Sequence, residues 1–394
     1  MLAADYAPAM FDGAEVRAFA GIGARGSPFL TLAGREAVGL DRAGKPRPLG
    51  AGRFAVAALP PYGAIRTALP AYVESEGAAS LEHRPYAAAA ADANGDLYVA
   101  ALPLDPDASE SRAATDDLGA RLAAGLGALP GNRLARQLAR CARDYGCRAA
   151  ANAFRGLGDC SLPLAAPSNE RPPAPLSIRA EADAAPTEPA AFHPTADEIA
   201  AVALRHFEHG GTAVSFGGAC DGEPLLAVRV LEAAVERIRA RNATGVIQLE
   251  TNGSSALALR RAIGAGVDSV AVRIASARAD TYERLHGPQA YRFTDVRASI
   301  EAASASGVSL ALVILVLPGL TDRPSELAAI VDLAGSLPSG GQLVLRDLAC
   351  DPSGTLALLQ GAGSPIGIMS AIERLRADAP HLRVGALVRP PARV

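Results

Sequence analysis

Three acidic residues lie at or just beyond the end of a predicted strand, a position at which carboxylates often take part in catalysis. They are Glu223, Glu250 and Asp347. In parallel α/β folds the carboxyl ends of the strands form the ligand-binding edge. Carboxylates there can act as general acids or bases without a metal. Four arginines predicted near the same edge could add an anion-binding mouth: Arg273, Arg278, Arg284 and Arg346.

The five cysteines are the second group of candidate functional residues. Their number is small and odd for 394 residues, which argues against a disulfide framework and favours free thiols or metal ligands. Cys220 and Cys350 each follow a predicted strand, and Cys160 precedes the first one. Cys141 and Cys147 lie about 600° apart around a predicted helix, so we do not expect them to share a metal.

Composition excludes several classes of function. Lys45 is the only lysine among 38 basic residues, so neither a phosphate-binding GK[ST] loop nor a Schiff-base lysine in the core is expected. The net charge of -3, with both signs spread along the chain, predicts no nucleic-acid partner. The start lacks a secretory pattern, and the longest apolar stretch is half of the ~20 residues that span a membrane. We therefore expect a cytoplasmic protein without a membrane partner.

From residue 195 onward, amphipathic helix patterns alternate with apolar strand patterns. Thr195-Ala-Asp-Glu198 has the form of a capping box and predicts the start of a helix. Strands are predicted at 161–165, 213–216, 246–251, 269–274, 308–316 and 342–345. This alternation requires right-handed crossovers and a parallel sheet. Within the α/β class, six strands predict a partial six-unit (βα)6 TIM barrel, with a flat doubly wound sheet as the alternative.

The remaining segments differ from this pattern. Residues 1–110 carry short β-like runs and predict a small β-rich domain, in which Asn94-Gly95 predicts a tight hairpin turn with two positive φ angles. Residues 111–158 predict a helical connector, which makes the N-terminal part a smaller α+β domain. The barrel takes residues 159–352, and 353–394 form a C-terminal extension. Seven prolines between 167 and 194 predict a mobile loop over 165–194.

A glycine-rich turn follows the second predicted strand in Val214-Ser-Phe-Gly-Gly-Ala-Cys-Asp-Gly-Glu-Pro-Leu-Leu226. Glu250-Thr-Asn-Gly253, Ser276-Ala-Arg-Ala-Asp-Thr-Tyr-Glu283 and Leu317-Pro-Gly-Leu-Thr-Asp322 come later. In order and spacing these motifs resemble a bacterial subgroup of the radical S-adenosylmethionine (radical SAM) superfamily that has an N-terminal extension. The resemblance covers about half the chain and implies a radical-SAM-type barrel with a small-molecule ligand at its mouth. It also implies that S-adenosylmethionine would contact Gly217, Gly218, Gly222, Glu223, Pro224, Thr251, Asn252 and Ser276.

The same resemblance implies a CxxxCxxC loop after the first strand, whose thiolates hold a [4Fe-4S] cluster. Laid on this chain, that spacing puts Ser168, Pro172 and Pro175 at the three cysteine positions. A serine hydroxyl is a poor iron ligand and proline has no donor side chain. We therefore expect a degenerate member of the superfamily, a pseudoenzyme without the cluster and without catalytic residues.

Three functions remain open at this point. The first is a binding or scaffold protein that can still bind S-adenosylmethionine and whose partner is a cluster-bearing paralogue or another protein. The second is an active radical SAM enzyme with an unusual iron-sulfur site built from Cys160, Cys220 and Cys350. The third is a metal-independent barrel lyase or isomerase that works with Glu223, Glu250 and Asp347.

Overall fold

The structure is a computed structural model of the chain. It describes residues 6–23, 29–50, 52–79, 81, 84–107, 117–172, 189–218, 221–349, 352–359, 364–389 and 391. Pro175, Cys220 and Cys350 lie outside the described residues, as does most of the proline-rich loop predicted over 165–194.

The N-terminal residues form short, mainly antiparallel strands. They are β1 (Ala9–Phe11), β2 (Val16–Ala18), β3 (Ile22–Gly23), β4 (Phe29–Leu40), β5 (Pro46–Pro48), β6 (Phe54–Ala58), β7 (Ala64–Arg66), β8 (Leu69–Pro70), β9 (Tyr72–Glu74), β10 (Ala87–Ala91), β11 (Leu97–Val99) and β12 (Ala101–Pro103). β2, β1 and β8 form one sheet, β7 pairs with β12, and the others form a larger sheet around β4 and β6. The predicted hairpin is present as β10 and β11. Its turn differs from the prediction, because only Gly95 and not Asn94 has a positive φ.

A seven-stranded parallel sheet forms the second part of the molecule. Its strands are β13 (Asp159–Ser161), β14 (Ala213–Phe216), β15 (Val246–Thr251), β16 (Ser269–Ile274), β17 (Ser309–Val316), β18 (Gln342–Asp347) and β19 (Arg383–Gly385). They neighbour one another in chain order and all pairs are parallel. A doubly wound sheet would reverse its order at a switch point, so that alternative is wrong for this chain. The predicted count of six is one short, because the three-residue β19 was not recognised in the C-terminal extension.

The sheet is open, since β13 and β19 do not pair within the described part of the chain. Helices cover it: α1 (Leu118–Ala128), α2 (Arg133–Asp144), α3 (Arg148–Arg155), α4 (Ala196–Glu208), α5 (Val228–Arg239), α6 (Ala256–Ala265), α7 (Ala279–His286), α8 (Phe293–Ala305), α9 (Pro324–Ala334), α10 (Pro352–Ala357) and α11 (Ile368–Asp378). The predicted capping box at Thr195 is confirmed with both of its hydrogen bonds. In the described segments no helix combines the length and hydropathy needed to cross a bilayer.

The two faces of the parallel sheet have different compositions. Side chains on one face, which we call the outer face, are aliphatic and buried against the helices; Leu249, Val272 and Leu312 are each 0% exposed. Because side chains alternate along a strand, their neighbours point to the opposite, concave face. The concave face carries the charged residues Glu250 and Arg273 alongside small apolar side chains. The outer face therefore supplies the core, and the concave face is free for polar contacts.

The N-terminal domain packs against the loops that follow β16, β17 and β18. Leu69 joins Leu317 and Leu348 in one buried cluster. Gly13 approaches the backbone of the Pro318-Gly319 turn so closely that an added Cβ would collide with it. The domain thus covers part of the carboxyl-end edge of the sheet, where ligands bind in this class of fold.

Candidate ligand site at the carboxyl ends of the strands

The loop after β13 is held against the glycine-rich turn after β14 by one buried carboxylate. Asp221 accepts hydrogen bonds from the backbone N–H groups of Leu164 at 2.6 Å and Ala166 at 2.8 Å. Gly222 lies against the carbonyl oxygens of Ala166 and Pro167, with no room for a Cβ. The glycine at position 222 is therefore explained by the close approach of two backbone segments.

From there residues 167–172, which we call the strap, cross the carboxyl-end edge of the parallel sheet, which we call the mouth, to the loop after α7. The backbone N–H of Arg171 donates to the carbonyl of Gly287 at 3.0 Å, and that of Gln289 donates to the carbonyl of Asn169 at 2.8 Å. The side-chain amide of Asn252, at the end of β15, also donates to the Asn169 side chain at 2.8 Å. The strap thus contains Ser168 and Pro172, two of the three sequence positions at which the resemblance calls for cluster-binding cysteines.

The strap directs one carboxylate toward the buried side of the mouth. Glu170 lies 3.0 Å from Nδ1 of His286 and accepts a hydrogen bond from the Tyr291 hydroxyl at 3.1 Å. The backbone N–H of Ala275 donates to Nε2 of His286, so Nδ1 carries the proton and donates it to Glu170. Burial would raise the pKa of Glu170, but the His286 hydrogen bond and the nearby charge of Arg273 outweigh it and lower that pKa to about 2. Glu170 is therefore a fixed anion at neutral pH.

Glu223 is almost completely buried and its carboxylate accepts three hydrogen bonds. One oxygen accepts from the Thr251 hydroxyl and the Leu225 N–H, and the other accepts from the Asn252 N–H at 2.8 Å. Arg273 lies 3.9 Å away. Burial raises the pKa of Glu223, while Arg273 and these hydrogen bonds oppose the rise. The predicted site residues Glu223, Thr251 and Asn252 do come together, but they bind one another.

A second carboxylate, Glu250, is shared by two arginines on the concave face. Arg346 binds both of its oxygens, at 2.7 and 3.0 Å, and Nε of Arg273 lies 3.5 Å from one of them. Burial would raise the pKa of Glu250, but the charges of Arg346 and Arg273 lower it overall. The Arg346 side chain is 48% exposed, so this part of the concave face remains open to solvent.

Asp347 belongs to a different contact, with the N-terminal domain. Its oxygens accept from the backbone N–H of Arg66 at 3.1 and 3.2 Å, and the buried Arg66 guanidinium lies 3.8 Å away. Burial raises the pKa of Asp347 to about 6, against the effect of Arg66. The proposed acid-base set is therefore divided: Glu223 and Glu250 share Arg273, whereas Asp347 contacts another domain.

The other residues predicted from the resemblance have local structural roles. Gly217 and Gly218 pass close to the Glu250 carbonyl and the Ser161 hydroxyl, and Pro224 begins a short 3₁₀ helix, Pro224–Ala227. The Ser276 hydroxyl donates to Glu326 at 2.5 Å. Of the four predicted arginines, Arg273 and Arg346 lie on the concave face. Arg278 pairs with Asp280 at 3.0 Å, and Arg284 is exposed on α7. Contact of these residues with S-adenosylmethionine remains a prediction.

The described residues do not fit an iron-sulfur cluster. The Ser168 hydroxyl hydrogen-bonds the Glu170 backbone, and Pro172 offers no donor. Cys160 is 0% exposed in the apolar outer core, and burial raises the pKa of its thiol well above the usual range, which disfavours the thiolate that a cluster needs. Within the segments that the structure describes, no group of three His, Cys, Asp or Glu side chains is placed to hold a metal.

Neither Glu170 nor His286 was predicted from the sequence as a site residue. No local pattern marks Glu170, which lies in a proline-rich stretch predicted to be mobile. Its partners are 116 and 121 positions away in the chain. One sequence signal for His286 was available: Tyr282 stands four residues before it, which places both side chains on the same face of α7. In the structure the two rings stack with their centroids 4.1 Å apart.

Comparisons with known proteins give likeness of structure only. No protein-family model and no curated protein matches the chain. One similar solved structure is a radical SAM methyltransferase from Sphaerobacter thermophilus, with 18% identity over 49% of this chain and 59% of that one and a TM-score of 0.38. Another is the FeFe-hydrogenase maturase HydG from Carboxydothermus hydrogenoformans, with 15% identity over 63% of this chain and 61% of that one and a TM-score of 0.41. A third is coproporphyrinogen III oxidase HemN from Escherichia coli, described as a radical SAM enzyme. It has 15% identity over 42% of this chain and 39% of that one, with a TM-score of 0.33.

The chain spans between 39% and 61% of the length of these three structures. Two of them are described as radical SAM enzymes, the superfamily that the sequence motifs resemble. At these identities and TM-scores the likeness assigns no activity to this chain.

Proposed function

We propose that this protein is a radical SAM superfamily member in which the strap replaces the cluster-binding loop, and that it acts as a binding or scaffold protein. The observation that carries the proposal is the strap. It follows β13, where the resemblance calls for cluster-binding cysteines, and it places the Glu170 carboxylate beside His286, Tyr291 and the charge of Arg273.

The donor set supports the loss of cluster chemistry. Thiolates are the ligands that hold such clusters, and the two described positions of the expected motif are Ser168 and Pro172. Cys160, the described member of the alternative cysteine set, lies in the outer core at 0% exposure. A cluster bound by Cys160 would require that part of the core to open.

The state of Glu223 supports a weakened cofactor site. The resemblance assigns this residue to the amino group of S-adenosylmethionine, but here its oxygens already accept from Thr251, Leu225 and Asn252. A carboxylate has about four acceptor positions, so at most one of them, on the oxygen that accepts from Asn252, is left for a ligand ammonium group. The Glu223 side chain is also only 2% exposed, so we expect weak binding or none.

Anaerobic reconstitution with iron and sulfide tests the first part of the proposal. The wild type and a Cys160→Ser, Cys220→Ser, Cys350→Ser variant are treated together, and bound iron and sulfide are measured on folded protein. We expect equal background values in both. About four irons per chain with absorption near ~400 nm in the wild type alone would establish the alternative cysteine site and refute the proposal.

Calorimetric titration with S-adenosylmethionine tests the cofactor site. We expect no saturable heat in the wild type. The scaffold role is tested apart from this, by mixing the purified protein with a cluster-bearing radical SAM paralogue. Sedimentation should detect a complex at micromolar concentrations, and the absence of one would contradict that partner.

A further inference from the structure

The N-terminal domain contains a cavity of about 300 Å³ at its contact with the segment after β18. Its walls are mainly apolar and include Phe11, Leu32, Leu69, Tyr72, Tyr86 and Pro352. No charged side chain lines it among the described residues. The mouth of the barrel, by contrast, is lined by glutamates, arginines and a histidine, so the two places suit different ligands.

The walls of this space come from distant parts of the chain. Leu32 and Ala71 are buried, and Tyr72, Leu81 and Tyr86 pack against the cluster that contains Leu32. The tyrosines are only partly buried, and the space is a recess that is open to solvent on one side. Recesses of about this volume with mainly apolar walls are the kind that small ligands occupy.

The chemistry of the walls selects the occupant. The walls are mainly apolar, so they offer water few polar partners. An apolar cavity of about 150 Å³ binds benzene, and this one has roughly twice the volume of that cavity. We propose that the cavity is a binding site for a small uncharged aromatic molecule, with two fused rings as the best fit.

The position of the site links it to the rest of the molecule. Phe11 and Leu69 line the cavity and also belong to the cluster that contains Leu317 and Leu348, at the ends of β17 and β18. Pro352 supplies part of the wall at the start of α10. A bound ring would therefore contact both the N-terminal domain and the segment after β18, and would stabilise their contact.

Titration of the full chain with indole tests the inference. The chain has no tryptophan, so indole fluorescence is observed without a tryptophan background. We expect saturable binding and a rise in Tm. Indole-3-carboxylate, which has the same rings and one negative charge, should bind at least about tenfold more weakly, because the cavity offers its charge no partner.

Two variants locate the binding. Ala71→Leu adds volume inside the cavity and should weaken indole binding at least about tenfold, whereas Val73→Leu, at a 49% exposed neighbour outside the wall, should leave it unchanged. Leu32→Phe fills the cavity from the opposite wall and replaces Ala71→Leu if circular dichroism shows that the latter is unfolded. No binding by the wild type, or undiminished binding by either folded cavity variant, would overturn the proposal.

Discussion

The two faces of the parallel sheet show how differently one set of strands can be used. On the outer face the side chains are aliphatic, closely packed and almost fully buried, as Leu312 on β17 illustrates. On the concave face and at its mouth the same strands carry charged groups that pair with one another, as Glu250 does with Arg273 and Arg346. The outer face supplies the packed core of the sheet, whereas the residues at the mouth determine which ligand the protein can bind.

The charged groups at the mouth come from distant parts of the chain. Glu170 belongs to the strap, Glu223 follows β14, and Arg66 belongs to the N-terminal domain. Residues on the outer face maintain the packed core, whereas these charged groups join distant segments at the mouth, so substitutions in the two regions should behave differently.

Replacing Arg66 should have the largest effect. Arg66→Leu leaves Asp347 buried without its cation, which typically costs about 3 to 5 kcal/mol in the free energy of unfolding. Burial already raises the pKa of Asp347 from 3.8 to about 6. An acid with a raised pKa in the folded state destabilises that state when it ionises, so the loss should be greater at pH 8 than at pH 5. Urea unfolding at both pH values measures it.

The control for that prediction is Arg66→Leu combined with Asp347→Asn. Asparagine cannot ionise, so the difference between pH 5 and pH 8 should disappear. A pH difference that persists in the double variant would show that Asp347 is not the group responsible.

Leu312→Ala examines the outer face. The side chain is 0% exposed among apolar neighbours, so its truncation should lower the free energy of unfolding by about 2 to 5 kcal/mol. Leu315→Ala, on the same strand but partly exposed on the concave side, should cost less than half as much. Equal losses in urea unfolding would mean that the two faces are not packed differently.

Glu170→Gln examines the strap. It removes a carboxylate that accepts from His286 and Tyr291, and we expect a loss of about 1 to 3 kcal/mol at pH 7. An acid whose pKa is lowered by folding stabilises the folded state when the pH is above the pKa of the unfolded chain, which is 4.5 for Glu170. That stabilisation is lost as the pH falls from 4.5 through the folded-state pKa of about 2. The difference between wild type and variant should therefore shrink steadily below pH 4.5.

Glu283→Gln, at an exposed position on α7, is the matched control for the strap and should change stability little. Glu170→Gln without effect at pH 7 would contradict a structural role for the strap. A constant difference down to pH 2 would contradict the low pKa of Glu170.

Arg346→Gln should have the smallest effect. Its side chain is half exposed, and ion pairs in contact with solvent contribute about 0 to 1 kcal/mol. Arg273 remains beside Glu250 and keeps that carboxylate paired. The loss in the free energy of unfolding should decrease further in 1 M salt, because salt screens the attraction between Arg346 and Glu250. A loss above ~2 kcal/mol would place Glu250 in a more buried environment than its 21% exposure indicates.

The sequence by itself determined the local elements and their type. The apolar alternation predicted β14 to β18 close to their observed bounds, and the Thr195 capping box predicted the start of α4. These predictions succeed because their signals lie within a few residues of one another. Strand β19 was missed because three residues carry too little pattern, and Asn94 was assigned the wrong φ because turn type depends on how the flanking strands pair.

Only the tertiary structure decided what closes the mouth. The contacts of Glu170 with His286 and of Arg66 with Asp347 join residues 116 and 281 positions apart. A hydrogen bond of this kind depends on where the fold brings two side chains, and no periodicity in the chain records it. The missing cysteines could be read from the sequence, but the carboxylate that stands in the mouth could be seen only once the strands had been assembled.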